Sequence, residues 1–249
     1  MIYEKIRQLR NNKLFIIVLL VSLLLVIFLY LKAFFTTGVN FNGVFLKKEI
    51  VSNETHYTGR SKQGAIHITV IGRGSDTEKS MAEVIYNLPN NINQHYTVYF
   101  NHKEKYAMEN VEIRDENENT VFEGMYQKGD LFLYDVNNGP LIEDIIFHSN
   151  TDTEVPYAKN YKVSFINIVR FSTYEKEQIK GHLGMLLVAV VLIAVTAIDI
   201  KYPLFFFMLR YSLDVEDPKP SEHYITMQRA AWGINSVIAL TFLILALKI

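Results

Sequence analysis

The side chains of this chain that could do chemistry are few and widely spaced. None of its seven histidines falls into an HExxH motif or another close metal-ligand spacing. The chain has no cysteine, which excludes disulfides, thiolate metal sites and a cysteine nucleophile. The serines lie in no GxSxG or SxxK motif, so we predict no catalytic residue, no metal ligand and no cofactor. The histidines are His56, His67, His95, His102, His148, His182 and His223.

Two short segments could still hold a ligand. Gly72 and Gly74 stand between a predicted strand and a predicted helix, where free N–H groups could hold a phosphate. Neither a GxGxxG nor a GxxxxGK motif is completed, so a plain strand-to-helix turn is the favoured interpretation. Asp115, Glu116 and Glu118 could bind calcium or supply a general acid, but they fall at a predicted hairpin tip, which favours a solvated turn.

The charge balance excludes nucleic acid as a partner. The chain carries 25 Lys and Arg against 26 Asp and Glu, which gives a net charge of −1, and basic residues are scattered among acidic ones. Binding to a phosphate backbone requires a basic surface instead. A cysteine-free chain rich in Asn, Lys and Ile resembles a bacterial envelope protein.

Three long apolar segments, residues 14–31, 182–200 and 230–247, predict three transmembrane helices. At about 1.5 Å of rise per residue, each is long enough to cross a bilayer. We interpret the first as an uncleaved signal anchor. A cleaved signal peptide is the alternative, but its apolar region would be shorter and a small-residue cleavage site would follow it.

Basic residues set the predicted orientation. Residues 1–13 are rich in Lys and Arg, and short flanking segments of this kind stay in the cytoplasm. Residues 1–13 are therefore predicted to be cytoplasmic, residues 32–181 extracytoplasmic, and residues 201–229 a cytoplasmic interfacial loop. We expect a multi-pass plasma-membrane protein, embedded in the lipid bilayer, with its N-terminus in the cytoplasm and its C-terminus outside.

Residues 32–181 are predicted to form an α+β domain. Apolar and polar residues alternate in residues 65–71, 96–100 and 131–134, which predicts strands. Residues 111–126 predict a β-hairpin, because two β-rich runs flank a polar Asn/Asp/Glu cluster. The expected fold is thus α+β, with three transmembrane helices and an extracytoplasmic antiparallel sheet that carries one or two helices.

Two capping-box patterns predict those helices. Ser75 with Glu78 precedes an apolar run that Pro89 ends. Ser172 with Glu175 predicts a second helix, which would run directly into the second span. Such a continuous helix would couple the outer domain rigidly to the bilayer.

Four residues near the cytoplasmic side are candidates for a structural interface. Asp199 ends the second span, where its charge opposes the helix dipole. Arg229 begins the third span at the same depth and could hold the carboxylate with two hydrogen bonds, with Arg210 as the alternative donor. The competing hypothesis is that these charges only reach the lipid headgroups. Trp232 is predicted to be an interfacial anchor, and Ser221 is predicted to cap the third helix.

A pattern of aromatic, basic and proline residues surrounds these candidates. Its members are Pro203, Leu209, Arg210, Asp217, Pro220, Ser221, Tyr224, Arg229 and Gly233. The pattern resembles a family of small bacterial two-span membrane proteins of unknown function, and departs from it in placing Tyr211 where a Trp is common. The resemblance covers only the C-terminal part of the chain. It implies the membrane topology and a bacterial origin, and it implies no activity.

The sequence favours a non-enzymatic plasma-membrane protein whose outer domain binds an envelope protein or a ligand. The alternative is an accessory or sensory subunit of a larger membrane complex, for export or self-immunity, in which the C-terminal hairpin is the working part. An envelope hydrolase is the third class, and it is disfavoured because no nucleophile, metal cluster or paired-acid motif is evident.

Overall fold

A computed structural model of the protein describes residues 13–72, 79–101, 108–127, 129–136, 139–141, 157–158, 160–174, 177–211 and 219–247. The chain divides into a helical unit, Met1–Thr36 with Ile179–Ile249, and a sheet unit, Thr37–Gln178. The elements in chain order are α1 (Lys13–Phe34), β1 (Thr37–Phe41), β2 (Val44–Val51), β3 (Glu54–Arg60), β4 (Ala65–Ile71), β5 (Lys79–Leu88), a 3-10 turn (Pro89–Asn91), β6 (Ile92–Asn101), β7 (Met108–Asp115), β8 (Thr120–Gln127), β9 (Leu133–Tyr134), β10 (Pro140–Leu141), α2 (Phe165–Ser172), β11 (Gln178–Ile179), α3 (Leu183–Lys201), α4 (Phe205–Tyr211) and α5 (Glu222–Leu245).

Among its described residues, the helical unit contains three helices that are long and apolar enough to cross a membrane. They are α1 with 22 residues, α3 with 19 and α5 with 24. Their large apolar side chains are mostly exposed, as in Leu24 with 64% of its surface accessible. Apolar side chains on the outside of a helix bundle are suited to lipid and not to water. The three predicted apolar helices are confirmed.

Two of these helices, α3 and α5, run in opposite directions, and the end of α1 meets them at one end. The N–H of Gly181, just before α3, donates to the carbonyl of Phe34 at the end of α1 over 2.9 Å. The N–H of His182 donates over 2.9 Å to the carbonyl of Ala246, which follows α5. The end of α1, the start of α3 and the end of α5 therefore lie together. Because Asp199 near the end of α3 also accepts a hydrogen bond from Gln228 near the start of α5, α3 runs antiparallel to α5.

The sheet unit is built on an antiparallel meander. Within the described residues, eleven strands follow the order β10-β9-β8-β7-β6-β5-β4-β3-β2-β1-β11. From β1 to β10, each strand therefore lies beside its neighbours in the sequence. The predicted hairpin is confirmed, because β7 and β8 pair across the turn that follows Asp115. The α+β class is confirmed as well.

One face of the sheet, the core face, is covered by α2. Phe171 of α2 packs edge-on against the rings of Phe41, Tyr57 and Tyr86, with centroid distances of 5.7, 5.2 and 5.9 Å. Those three rings come from β1, β3 and β5. One short helix thus joins strands from different parts of the chain into a single hydrophobic core.

The opposite side, which we call the polar face, carries few aliphatic side chains. Cross-strand pairing over β2 to β6 aligns its residues in three rows. The rows are Lys47, Thr58, His67, Asn87 and Asn93; Glu49, His56, Thr69, Ile85 and His95; and Val51, Glu54, Ile71, Glu83 and Thr97. Alternation along each strand separates this face from the core face.

Both predicted helices of the outer domain are wrong. Ser75 and Glu78 lie outside the described residues, and the apolar run after them is strand β5. Ala82, Val84 and Tyr86 are fully buried at alternate positions, so the true period of this run is two, and pairing on both sides overrides the helical spacing.

The second capping box fails for a different reason. Ser172 is the last residue of α2, and its Oγ donates to the carbonyl of Val169 over 2.7 Å. The chain then turns at Tyr174, where φ is 57°. The helix that enters the second span starts separately, because His182 caps α3 by accepting the N–H of Met185 at 3.3 Å. The predicted cap of α5 is confirmed, since Ser221 Oγ accepts the N–H of Tyr224 at 3.2 Å.

Candidate functional site

The helical unit holds a carboxylate between two of its long helices. Asp199 lies in the last turn of α3, and both of its oxygens accept hydrogen bonds from α5. Gln228 Nε2 donates to Oδ1 over 2.8 Å, and Trp232 Nε1 donates to Oδ2 over 2.7 Å. Hydrogen bonds to a charged group are stronger than those between neutral groups. This cluster therefore fixes the register between α3 and α5.

The structure brings Asp199 and Trp232 together, but it does not give Asp199 the arginine partner that the sequence suggested. Gln228 and Trp232 are four residues apart and share one helix face, whereas Arg229 points about 100° away and is exposed. The guanidinium of Arg210 lies 5.6 Å from the ring centroid of Tyr211. The predicted contact between Asp199 and Arg229 is therefore wrong. The spacing of Gln228 and Trp232 was the signal that could have identified the true donors.

The short helix α4 extends this cluster. Phe207 is buried, and its ring lies 4.8 Å from the ring of Tyr211 and 4.9 Å from the ring of Tyr224. Tyr224 is one turn before Gln228 on the same face of α5. Helix α4 is thus packed against the same face of α5 that holds Asp199.

The sheet unit holds a second polar cluster at the edge of its core. Tyr57 is fully buried, and its hydroxyl donates to Glu177 Oε1 over 2.9 Å. Lys48 forms an ion pair with the same carboxylate and lies 5.3 Å from the ring centroid of Tyr174. Burial and the neighbouring carboxylate raise the pKa of Tyr57. The phenol stays protonated, so it serves as a hydrogen-bond donor and not as a base or nucleophile.

A cleft lies beside this cluster, between β1 and α2. Its lining includes Asn40, Asn167 and Arg170 together with the aromatic residues Tyr57 and Phe171. The guanidinium of Arg170 donates to the carbonyl of Asp130 over 2.8 Å. This hydrogen bond connects α2 to the segment just before β9. The lining contains no pair of nucleophile and base, and the cleft belongs to the packing of α2.

Of the two candidate ligand segments, only the one at Asp115 is described throughout its turn. Gly72 has a φ of 78°, Gly74 lies outside the described residues, and the helix that would have supplied free N–H groups is strand β5. Asp115 accepts the N–H groups of Asn117 and Asn119 at 2.9 Å each. These hydrogen bonds, led by the one from Asn119, lower the pKa of Asp115. Asp115 thus closes the β7–β8 turn, as the solvated-turn interpretation predicts.

The histidines are less scattered in space than in the sequence. His182 caps α3 and His223 lies in the first turn of α5, while His102 and His148 lie outside the described residues. The other three stand on the polar face, and two of them, His56 and His67, are in contact. Sequence reasoning missed this pair because β-hairpin pairing, and not short spacing, brings the rings together.

Comparison with known proteins adds one finding. No curated protein and no solved structure matches the chain. Residues 188–246 match the model of a family of unknown function, DUF6199. The matched range begins within α3 and ends just after α5, so the Asp199 cluster lies inside the part of the chain that is similar to this family.

Proposed function

We propose that this chain is a bacterial plasma-membrane protein whose sheet unit is an extracytoplasmic binding domain without chemistry of its own. The observation that carries the proposal is the polar face. It is a broad surface of charged and hydrogen-bonding side chains on a rigid sheet whose other face is filled by α2. Rigid polar surfaces of this kind suit the recognition of a protein or a polar ligand.

The orientation in this proposal is supported by two independent features. The basic residues before α1 favour a cytoplasmic N-terminus. The antiparallel pairing of α3 with α5 is the arrangement that two successive crossings require. If α1 runs outward, the sheet unit is outside and the segment between α3 and α5 is inside.

Cysteine labelling tests this orientation, because no native cysteine competes. Lys62 in the β3–β4 loop and Lys219 before α5 are both exposed. With an impermeant thiol reagent on intact cells, Lys62→Cys should label and Lys219→Cys should label only after lysis. Labelling at position 219 without lysis would contradict the three-crossing topology.

A second function has one observation in its favour. The family match is confined to residues 188–246, which hold α4, α5 and most of α3. On this second hypothesis, the matched part is the working part of an accessory or sensory subunit in a larger membrane complex. The exposed apolar surface of α5, including Val237 with 65% of its area accessible, would then contact another membrane protein.

Photo-crosslinking in cells separates the two functions. A photoreactive phenylalanine derivative is placed at Tyr99, which lies on the same side of β6 as the polar face, or at Val237 on α5. The same derivative at Lys62 is the control for exposure alone. A discrete protein adduct from position 99 supports the binding domain, and one from position 237 alone supports the membrane subunit. Equal adducts from positions 62 and 99 would refute the polar face as the binding surface.

A further inference from the structure

Two histidines that are distant in the sequence are neighbours on the polar face. Strands β3 and β4 pair with His56 opposite Thr69 and with Thr58 opposite His67, so the two imidazoles are diagonal neighbours. Nδ1 of His56 lies 3.2 Å from Nε2 of His67. The hydroxyl of Thr69 lies 3.1 Å from the first nitrogen and 3.5 Å from the second. Three polar atoms thus lie within 3.5 Å of one another.

A carboxylate orients the first of these rings. Glu54 Oε2 lies 3.3 Å from His56 Nε2. When Nε2 carries the proton and donates it to Glu54, Nδ1 is left with its lone pair directed towards His67. Histidines that bind metal ions almost always donate their other N–H to a carboxylate, a carbonyl or water in this way.

The separation of the two nitrogens matches that of two ligands on one ion. In a tetrahedral site with Zn–N bonds of about 2.0–2.1 Å, neighbouring nitrogens lie about 3.3 Å apart. The observed distance of 3.2 Å needs little movement of either ring. The neutral hydroxyl of Thr69 is a poor ligand for such an ion, so its role is to hold the rings in place.

We propose that His56 and His67 together bind one divalent transition-metal ion. Two imidazoles select Zn²⁺ or Cu²⁺ over hard cations such as Mg²⁺ and Ca²⁺. Among the described residues, no group of three or more His, Cys, Asp and Glu side chains could hold a metal ion, so the proposal rests on these two protein ligands alone. The side chain of His56 is 21% exposed, which leaves the ion open to solvent. The inference goes beyond the proposed function and does not depend on it.

The test is a titration of the full-length protein in detergent. The protein is purified with a tag that lacks histidine, stripped with a chelator and titrated with Zn²⁺ in competition with a chromophoric chelator. We expect saturable binding that His56→Gln and His67→Gln each remove. Glu54→Gln should weaken Zn²⁺ binding by about 10- to 100-fold, because it removes the group that orients His56.

His95→Gln is the matched control on the same face. The ring of His95 faces Glu83 at 3.5 Å and has no second imidazole beside it among the described residues, so this variant should bind Zn²⁺ as the parent does. With Cu²⁺, electron paramagnetic resonance should show hyperfine coupling to two nitrogens in the parent and to fewer in His67→Gln. Absent binding, or equal binding by the His56→Gln/His67→Gln double variant, would overturn the inference and leave a hydrogen-bonded histidine pair only.

Discussion

The sheet unit buries its apolar side chains, whereas the helical unit exposes them on its outer surface. In the sheet unit most of the buried residues are large and apolar, and the polar face is turned outward. In the helical unit the outside is apolar, and many of the buried residues are small or polar. Within the described residues, those buried in the helical unit are Phe34, Gly181, Ala189, Thr196, Phe207, Gln228, Ala239 and Ala246.

This inversion shows that the two units are held together by different forces. Removal of apolar surface from water stabilises the sheet unit. Lipid offers no such driving force to helices, whose association depends on close packing of small residues and on hydrogen bonds. A substitution that strongly destabilises one unit should therefore leave the stability of the other unit unchanged. Each of the following variants tests this separation.

Removal of the Phe171 ring should have the largest effect. Phe171→Ala opens a cavity where α2 meets three strands, and such truncations cost about 3–5 kcal/mol. Hydrogen exchange followed by mass spectrometry should show faster exchange throughout the sheet unit, with α3 and α5 unchanged. Phe132→Ala, at a ring that is 41% exposed, is the matched control. Equal acceleration of exchange in both units would show that they do not unfold independently.

A single methyl group should disturb the helical unit by packing alone. A Cβ added at Gly181 would lie 2.2 Å from the ring of Phe34, which is fully buried. Gly181→Ala should therefore cost about 1–3 kcal/mol and lower the melting temperature of the helical unit in detergent. Gly233→Ala is the control, because its Cβ would meet nothing within 4 Å. A loss of stability in Gly233→Ala equal to that in Gly181→Ala would remove close packing as the cause.

Loss of the Asp199 carboxylate should have a similar or smaller effect. Asp199→Ala leaves Gln228 and Trp232 without their acceptor, which costs about 1–3 kcal/mol if these donors stay buried. A double-mutant cycle between Asp199→Ala and Gln228→Leu should be non-additive in detergent melting. The same cycle with Arg229→Gln should be additive, because the arginine lies on another face of α5. A non-additive cycle with Arg229→Gln would instead support the ion pair between Asp199 and Arg229 that the sequence suggested.

The smallest expected effect concerns acid and is confined to the sheet unit. The folded-state pKa of Asp115 is lowered, so its ionised form stabilises the β7–β8 turn at neutral pH. That contribution is present above its ordinary pKa of about 4 and disappears as the pH falls through the lowered value. Asp115→Asn should therefore lower sheet-unit stability at pH 7, and the difference from the parent should vanish in stronger acid. A difference that persists at the lowest pH would assign the effect to the shape of the turn.

The apolar helices and the β7–β8 hairpin could be predicted because their signals are local. A long uncharged run or a polar cluster between two strands needs no knowledge of distant residues. β5 could not be predicted, since its helical spacing was overruled by the pairing of β4 and β6 on either side. Ser172 and Glu175 have the spacing of a cap, but the chain had already formed α2 from residues before them.

The candidate sites were harder to predict than the fold. Asp199 and Trp232 could be chosen from their positions near the membrane surface, yet the choice between Gln228 and Arg229 depended on the rotation of α5. The contact of His56 with His67 depended on the register of the β3–β4 hairpin, which its loop determines. Both facts belong to tertiary structure, and a shift of one residue would change either of them.

The strand order also has a consequence for how the protein is made. From β2 to β10, each strand pairs with the one synthesised just before it, so the sheet can assemble strand by strand as the chain emerges, without waiting for distant segments. The helix that packs on the core follows these strands, at Phe165–Ser172, and of the described strands only the short β11 comes after it. A nascent chain that ends before Phe165 would thus carry a paired sheet with a bare apolar face, and this unfinished sheet is the species that a chaperone would have to recognise.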